Sequence, residues 1–196
     1  MMGATGAIQV EPSLVLRAQQ GDMQAHESLY RAYGPAVYTM ARRMLASSSQ
    51  AEDVLQETFV EVIRKISSYR GEAELSRWIR RIAVNKCLMH LRSAWVSKRA
   101  GDDDAIQKAA APGRERADLA LDLEQALSLL PAPSRAVVWL HDVEGYTHKE
   151  IGRLMGRTAS FSKSQLARAH ERLRGFLAGP DTEQGADVCV QPLKTC

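Results

Sequence analysis

Apolar residues recur along this chain at intervals of three and four, the period of an α-helix, and no stretch of any length alternates as a strand would. Residues 51–66 show the pattern most sharply. Leu55, Phe59, Val62 and Ile66 fall on one side of the helix this segment predicts. Asp53, Glu57 and Glu61 fall on the other, four residues apart each time, with Gln56 beside them. Like charges at that spacing cost a helix roughly 0.2–0.5 kcal/mol per pair. A face of one sign is commonly no more than a solvated face. On one of the best helices of the chain it calls for a purpose.

The punctuation between periodic segments predicts the other elements. Pro12 and Ser13 open a helix that Gly21 stops, and Asp22 caps the next, which carries Leu29, Tyr30 and Tyr33. Gly34-Pro35 interrupts or bends the path before it continues to Leu45. Ser49 and Glu52 form an S-x-x-E capping box ahead of the acidic helix. A loop around Gly71 leads to a long helix over 75–95. Residues 99–117, rich in Ala, Gly and Pro with three consecutive Asp, read as a linker. Beyond it one helix ends at Pro131 and a second closes at Gly145. A capping box of Thr147 and Glu150 opens a short helix ended by Gly156. A longer helix follows, with Leu166, Ala169 and Leu173 as its buried stripe. The expected fold is all-α: two small helical domains joined by a flexible linker, the second containing a helix-turn-helix. The expected bounds are a flexible N-terminus 1–12, a first domain 13–98, the linker 99–117, a second domain 118–177 and a polar, flexible tail 178–196.

Net charge is +3 with a sequence pI near 8.8, a bias too mild to identify a partner. Its distribution says more. Arg77, Arg80, Arg81, Lys86, Arg92, Lys98 and Arg99 follow Leu75 with no acid between them. Arg153, Arg157, Lys163, Arg168, Arg172 and Arg174 have only Glu171 among them. Cys87, Cys189 and Cys196 are too few and too irregular for a disulfide framework, and Cys87 sits among apolar neighbours as a small core residue. No apolar run reaches the length of a membrane span, and the N-terminus makes a poor signal peptide, so a soluble cytoplasmic protein is expected. No P-loop, H-E-x-x-H or G-x-S-x-G motif suggests catalysis, and no cofactor or metal is expected. His26, His90, His141, His148 and His170 share no ligand spacing. A zinc site joining His141 or His148 to Cys189 and Cys196, or redox sensing by the tail cysteines, is a weaker reading than an idle tail.

Residues 147–174 have the form of a helix-turn-helix, whose second helix offers Ser, Gln, Lys and Arg to a DNA major groove. The bland alternative is a helical hairpin with a solvated basic face. On the 75–95 helix, Trp78, Arg81, Asn85, Leu88 and Arg92 share one side. Trp78 can stack on a base and Asn85 can bond a base edge, while the arginines neutralise phosphates. Alternatively Trp78 is simply core. An acidic face beside a DNA-binding helix should avoid DNA and suits a basic protein surface.

These residues also carry a resemblance. The D-x-x-Q-E-x-F run (Asp53, Gln56, Glu57, Phe59), "YRGEAELSRWIRRIAVNKCLMHLR" and the D-V-E-G-x-[ST]-x-x-E-I run from Asp142 to Ile151 resemble, in order, the extracytoplasmic-function sigma factors of bacterial RNA polymerase. The resemblance spans residues 13–177. It implies a promoter-specificity subunit with no enzyme activity of its own. Region 2 would present Asp53, Gln56, Glu57 and Glu61 to the clamp helices of the polymerase beta-prime subunit. It would read and melt the −10 element with Tyr69, Arg70, Trp78, Arg81, Asn85, Lys86 and Arg92. Region 4 would meet the beta flap and read the −35 element through Ser160, Phe161, Lys163, Ser164, Gln165 and Arg168. An anti-sigma factor clamping the two domains is the further partner the family implies. The chain departs from the family at "GRTASFSKSQL", where Ser162 replaces a normally buried apolar residue and Phe161 takes a DNA-proximal place. Two rivals remain: an autonomous helix-turn-helix regulator with an N-terminal interaction domain, and a protein-binding adaptor.

Overall fold

A computed structural model describes residues 10–98 and 123–177. The expected linker 99–117, the tail after 177 and Cys189 and Cys196 lie outside the described residues, as do residues 1–9. Within them every element is helical: α1 Pro12–Gln19, α2 Met23–Leu45, α3 Ser48–Lys65, a 3-10 turn Ile66–Ser68, α4 Leu75–Lys98, α5 Leu123–Ser128, α6 Ala132–Val138, a π-turn Trp139–Val143, α7 His148–Met155 and α8 Ala159–Leu177.

The caps follow local chemistry, with two corrections. Asp22 accepts from the amides of Gln24 and Ala25 at 2.9 and 3.3 Å, as its position predicts. The Thr147–Glu150 capping box is present in both directions. The expected Ser49–Glu52 box is not the cap of α3. Ser47 caps it instead, accepting from Gln50 at 3.3 Å, because the αL turn at Ala46 (φ 54°) ends α2 just before it. Nor does Gly34-Pro35 interrupt α2, which runs through as one helix. Proline removes one amide from the ladder. The burial of Gly34 against Leu55, with Tyr33 and Val37 in the core on either side, holds the helix across the gap.

The N-terminal core is built by α2, α3 and α4. Leu29, Val37 and Met44 meet Val54, Phe59 and Val62, and Ile79, Val84 and Leu88 close the set. Leu88 is therefore core, 2% exposed, and does not share the open side of α4; Met89, at 57%, takes the surface place. Cys87 is fully buried, and burial pushes its thiol up to about 12. The C-terminal core gathers Val137, Leu140, Ile151, Met155, Leu166 and Ala169. The turn between α7 and α8 is close-packed. There a Cβ on Gly152 would stand 2.8 Å from the Arg157 carbonyl, so only glycine fits. The two cores are continuous with each other, α5 and α6 packing on α2 and α7 on α4.

Candidate functional site

On α3 the apolar residues turn inward and the acids outward, as the period requires. Asp53 and Gln56 are exposed, and Glu57 and Glu61 half-buried. The four are not equivalent. Glu57 faces α4, where Lys86 Nζ lies 3.7 Å and His90 Nε2 3.2 Å away. Glu61 pairs with Lys65 at 2.6 Å, and that bond holds its carboxyl below the usual range. Two residues missed at the level of charge complete the face. Val60 and Ile63 are 56% and 45% exposed and continue the three-four spacing from Asp53 and Gln56. Tyr30 of α2, 43% exposed and edge-on to Phe59 at 4.8 Å, extends the apolar patch. The result is an apolar seam with acidic neighbours, the surface that a helix of opposite charge can pack against. The signal was in the sequence: Val60 and Ile63 lie off the buried stripe.

The loop before α4 is tied down at both ends. Tyr69 donates its hydroxyl to the Ala73 carbonyl at 2.6 Å, and its own carbonyl accepts from Gln19 of α1 at 2.8 Å. Its ring lies 5.4 Å from that of Trp78, which is half-buried, neither a core residue nor a free platform. Arg70, Arg81, Asn85 and Arg92 are exposed. Lys86 turns away from this group toward Glu57.

In the C-terminal half, Ser160, Lys163, Ser164 and Arg168 stand exposed along the start of α8. Phe161 is half-buried, with the Arg157 guanidinium 5.6 Å from its ring centre. Gln165 accepts from Ser134 of α6 at 2.6 Å, so part of its bonding capacity is spent internally. The departure at Ser162 has its explanation here. Ser162 is fully buried, and its hydroxyl meets His148 Nδ1 at 3.0 Å. A polar residue replaces an apolar one with its partner supplied from α7. His148 also stacks on His141 at 4.5 Å, and the Asp142 carboxylate joins His141 (2.8 Å) to His170 (2.6 Å). Burial, with the charges of His141 and Lys163, lowers the pKa of His148. The fold thus collects three histidines that sequence spacing kept apart. Among the described residues no group of His, Cys, Asp or Glu is placed to hold a metal ion.

Contacts between the halves were not legible beforehand. Arg135 of α6 is 6% exposed. It donates to Met44 O at 2.9 Å and Leu45 O at 3.1 Å, the last carbonyls of α2, and to Leu130 O and Ser128 O at 3.1 and 3.3 Å after α5. One guanidinium therefore caps two helix C-termini, where unpaired carbonyls and the helix dipole favour a cation. Its burial lowers the guanidinium's pKa to about 10. Arg43 lies 5.4 Å over the Trp139 ring. Arg80 pairs with Glu144 at 3.5 Å, and the same carboxylate accepts from Trp139 Nε1 at 3.2 Å. Arg92 donates to the Leu154 carbonyl.

Comparison with known proteins decides the family. The Sigma-70 region 2 model matches residues 29–96 and the Sigma-70, region 4 model matches residues 120–173. The ECF RNA polymerase sigma factor SigM of Mycobacterium tuberculosis is 32% identical over 157 residues, covering 80% of this chain and 79% of that one. The chain belongs to the extracytoplasmic-function sigma factors. The RNA polymerase sigma factor CarQ of Myxococcus xanthus is 33% identical over 172 residues, 85% of this chain and 97% of CarQ. Among solved structures, the chain is similar to the sigma factor RpoE in complex with the anti-sigma factor NepR from Bartonella quintana. That likeness has a TM-score of 0.48 and 21% identity over 79% of this chain and 97% of that one. As a sigma factor the protein binds core RNA polymerase and directs promoter-specific initiation of transcription. Region 2 takes in α3 and the basic α4, and region 4 the helix-turn-helix. Helix α1, which holds the Tyr69 carbonyl, precedes the matched span. The match runs through both halves in order, which an autonomous regulator or an adaptor leaves unexplained. No helix among the described residues is long and apolar enough to cross a membrane.

Proposed function

We propose that this sigma factor divides its work between two surfaces of opposite character. The α3 face of Asp53, Gln56, Glu57 and Glu61, with Val60 and Ile63 as its apolar seam, binds the clamp helices of the beta-prime subunit. The 69–92 segment reads the −10 element. Tyr69 and Trp78 supply stacking surfaces, Asn85 a base-edge contact, and Arg70, Arg81 and Arg92 phosphate neutralisation, while Lys86 of the same expected set is held by Glu57. Helix α8 lies in the major groove at the −35 element, with Lys163 and Arg168 on phosphates and Ser160, Phe161, Ser164 and Gln165 toward bases. Region 4 rests on the beta flap. The functional units are residues 13–98 and 118–177, joined by a linker at 99–117. The protein acts in the cytoplasm with no catalysis of its own, and an anti-sigma factor holds it inactive.

The observation that carries this reading is the segregation of charge. Asp53 and Gln56 stand exposed on α3 and Arg81 and Asn85 stand exposed on α4, with Glu57 and Lys86 paired between them, so polymerase and DNA can be held by separate helices. Run-off transcription tests it. Core polymerase with the sigma factor should initiate from a defined subset of a promoter library, and sequencing the products should give conserved −10 and −35 blocks. Asn85→Ala should relax the choice of base in the −10 block alone, by roughly 1–3 kcal/mol of discrimination. Uniform loss at every promoter would assign Asn85 to the fold instead.

A further inference from the structure

The loop that opens the proposed −10 surface stands off from helix α1. Between them runs a groove of about 670 Å³, lined on one side by Pro12, Val15 and Gln19 and on the other by Tyr69, Arg70 and Glu74. Apolar packing across an open groove holds a loop weakly, so the conformation falls to hydrogen bonds. One of these comes from outside the loop: Gln19 Nε2 donates to the Tyr69 carbonyl at 2.8 Å. That carbonyl belongs to the peptide joining Tyr69 to Arg70. The peptide is planar, so holding its oxygen also sets the amide of Arg70 and the directions in which both side chains leave the chain. Gly71 follows at φ 74°, and the chain turns away directly after the held peptide.

The donor is itself fixed. Arg17 grips Asp22 through Nε and Nη2, each at 2.6 Å. The buried Ala18 carbonyl bonds to His26 Nε2 at 2.9 Å. A carbonyl only accepts, so that nitrogen carries the proton and donates. Gln19 therefore projects from a helix end tied down at the two residues before it. It lies ahead of residue 29, where the region 2 match begins.

We propose that Gln19 is a positioning residue for −10 recognition, its amide holding the Tyr69–Arg70 peptide in the orientation that presents both side chains to DNA. This rests on the −10 reading of the 69–92 segment. Loss of the donor frees the peptide to turn. A loop that keeps its reading form in about one molecule in ten recognises DNA about tenfold more weakly.

Run-off transcription from the promoter library, with core polymerase and full-length variants, tests this. Gln19→Glu keeps the shape of the side chain and replaces the donor with a carboxylate, which only accepts. It should lower the preference for the selected −10 block over scrambled −10 sequences about tenfold, with −35 choice and core-polymerase affinity unchanged. Gln19→Lys supplies a donor again and should restore the preference. Its added charge raises affinity for every promoter alike, so the readout is the choice of base rather than the yield. Tyr69→Ala and Arg70→Ala are the reference variants. If these relax −10 choice and Gln19→Glu does not, the proposal is overturned and the −10 reading stands. Equal loss in the Glu and Lys variants, together with weaker core binding, would assign Gln19 to the fold of region 2 and overturn it as well. If neither reference variant alters −10 choice, the −10 reading of the loop falls and takes the proposal with it.

Discussion

At the scale of single residues, burial decides chemistry. Burial pushes the Cys87 thiol up to about 12 from the ordinary thiol value of 9.0. The unfolded chain therefore loses this proton first. The resulting stabilisation is complete below pH 9 and is lost as pH rises toward 12. Iodoacetamide at pH 8 should leave Cys87 unmodified in the folded protein and alkylate it in urea, read by mass spectrometry of the tryptic peptide. Labelling of Cys87 under native conditions would contradict its place in the core. Its burial was legible from the apolar neighbours along α4. The role of Arg135 was not. In sequence it is one arginine in a short apolar helix, and its partners are main-chain carbonyls about ninety positions away, which no side-chain pattern records. Ser162 was legible as an anomaly but not as a solved one, because its partner His148 lies on the preceding helix. Ser162→Ala should cost about 1 kcal/mol in urea denaturation by removing one buried hydrogen bond, and His148→Ala should make that substitution nearly silent.

At the scale of elements, periodicity carried most of the information and the exceptions have local causes. The helix-turn-helix was readable because Thr147, Glu150 and Gly156 punctuate it. The tightness of its turn was not, since Gly152 matters through a contact with Arg157 across the turn rather than through φ. Gly152→Ala should destabilise region 4 by about 1–3 kcal/mol through overpacking, visible as loss of −35 protection at temperatures where region 2 is still helical. Unchanged protection would show that the turn can open by a few tenths of an ångström at no cost. Helix α2 misled the sequence reading for the opposite reason. Gly-Pro is a strong local breaker, and here the tertiary core on both sides overrides it. On α3 the charge pattern found Asp53 and Gln56, but attention to acids left out Val60 and Ile63. Val60→Ser with Ile63→Ser should weaken core-polymerase binding at least as much as loss of an acid does, because apolar area buried at the centre of a contact outweighs rim charge. Circular dichroism should be unchanged, since both side chains are exposed.

At the scale of the whole molecule, the described residues form two helical units whose cores merge, joined by the buried Arg135, by Trp139 under Arg43, by the Arg80–Glu144 pair and by the Arg92 bond to the Leu154 carbonyl. The all-α class and the order of its parts were legible because each helix announces its own start, stop and buried face. The docking of region 4 on region 2 was not, because it depends on surfaces brought together from opposite ends of the sequence. The geometry also separates the two tasks: region 4 packs chiefly on α2 and α4. The outer side of α3, with Asp53, Val60 and Ile63, stays exposed. The most direct test of that division is the affinity of the full chain for purified core polymerase, wild type beside an Asp53→Ala, Gln56→Ala variant. Both side chains are exposed, and neither is paired with α4 as Glu57 is. The account predicts tight binding by the wild type, a loss of tenfold or more in the variant (about 1.4 kcal/mol), and identical thermal unfolding of the two. Equal binding by both chains would contradict the assignment of the α3 face to polymerase.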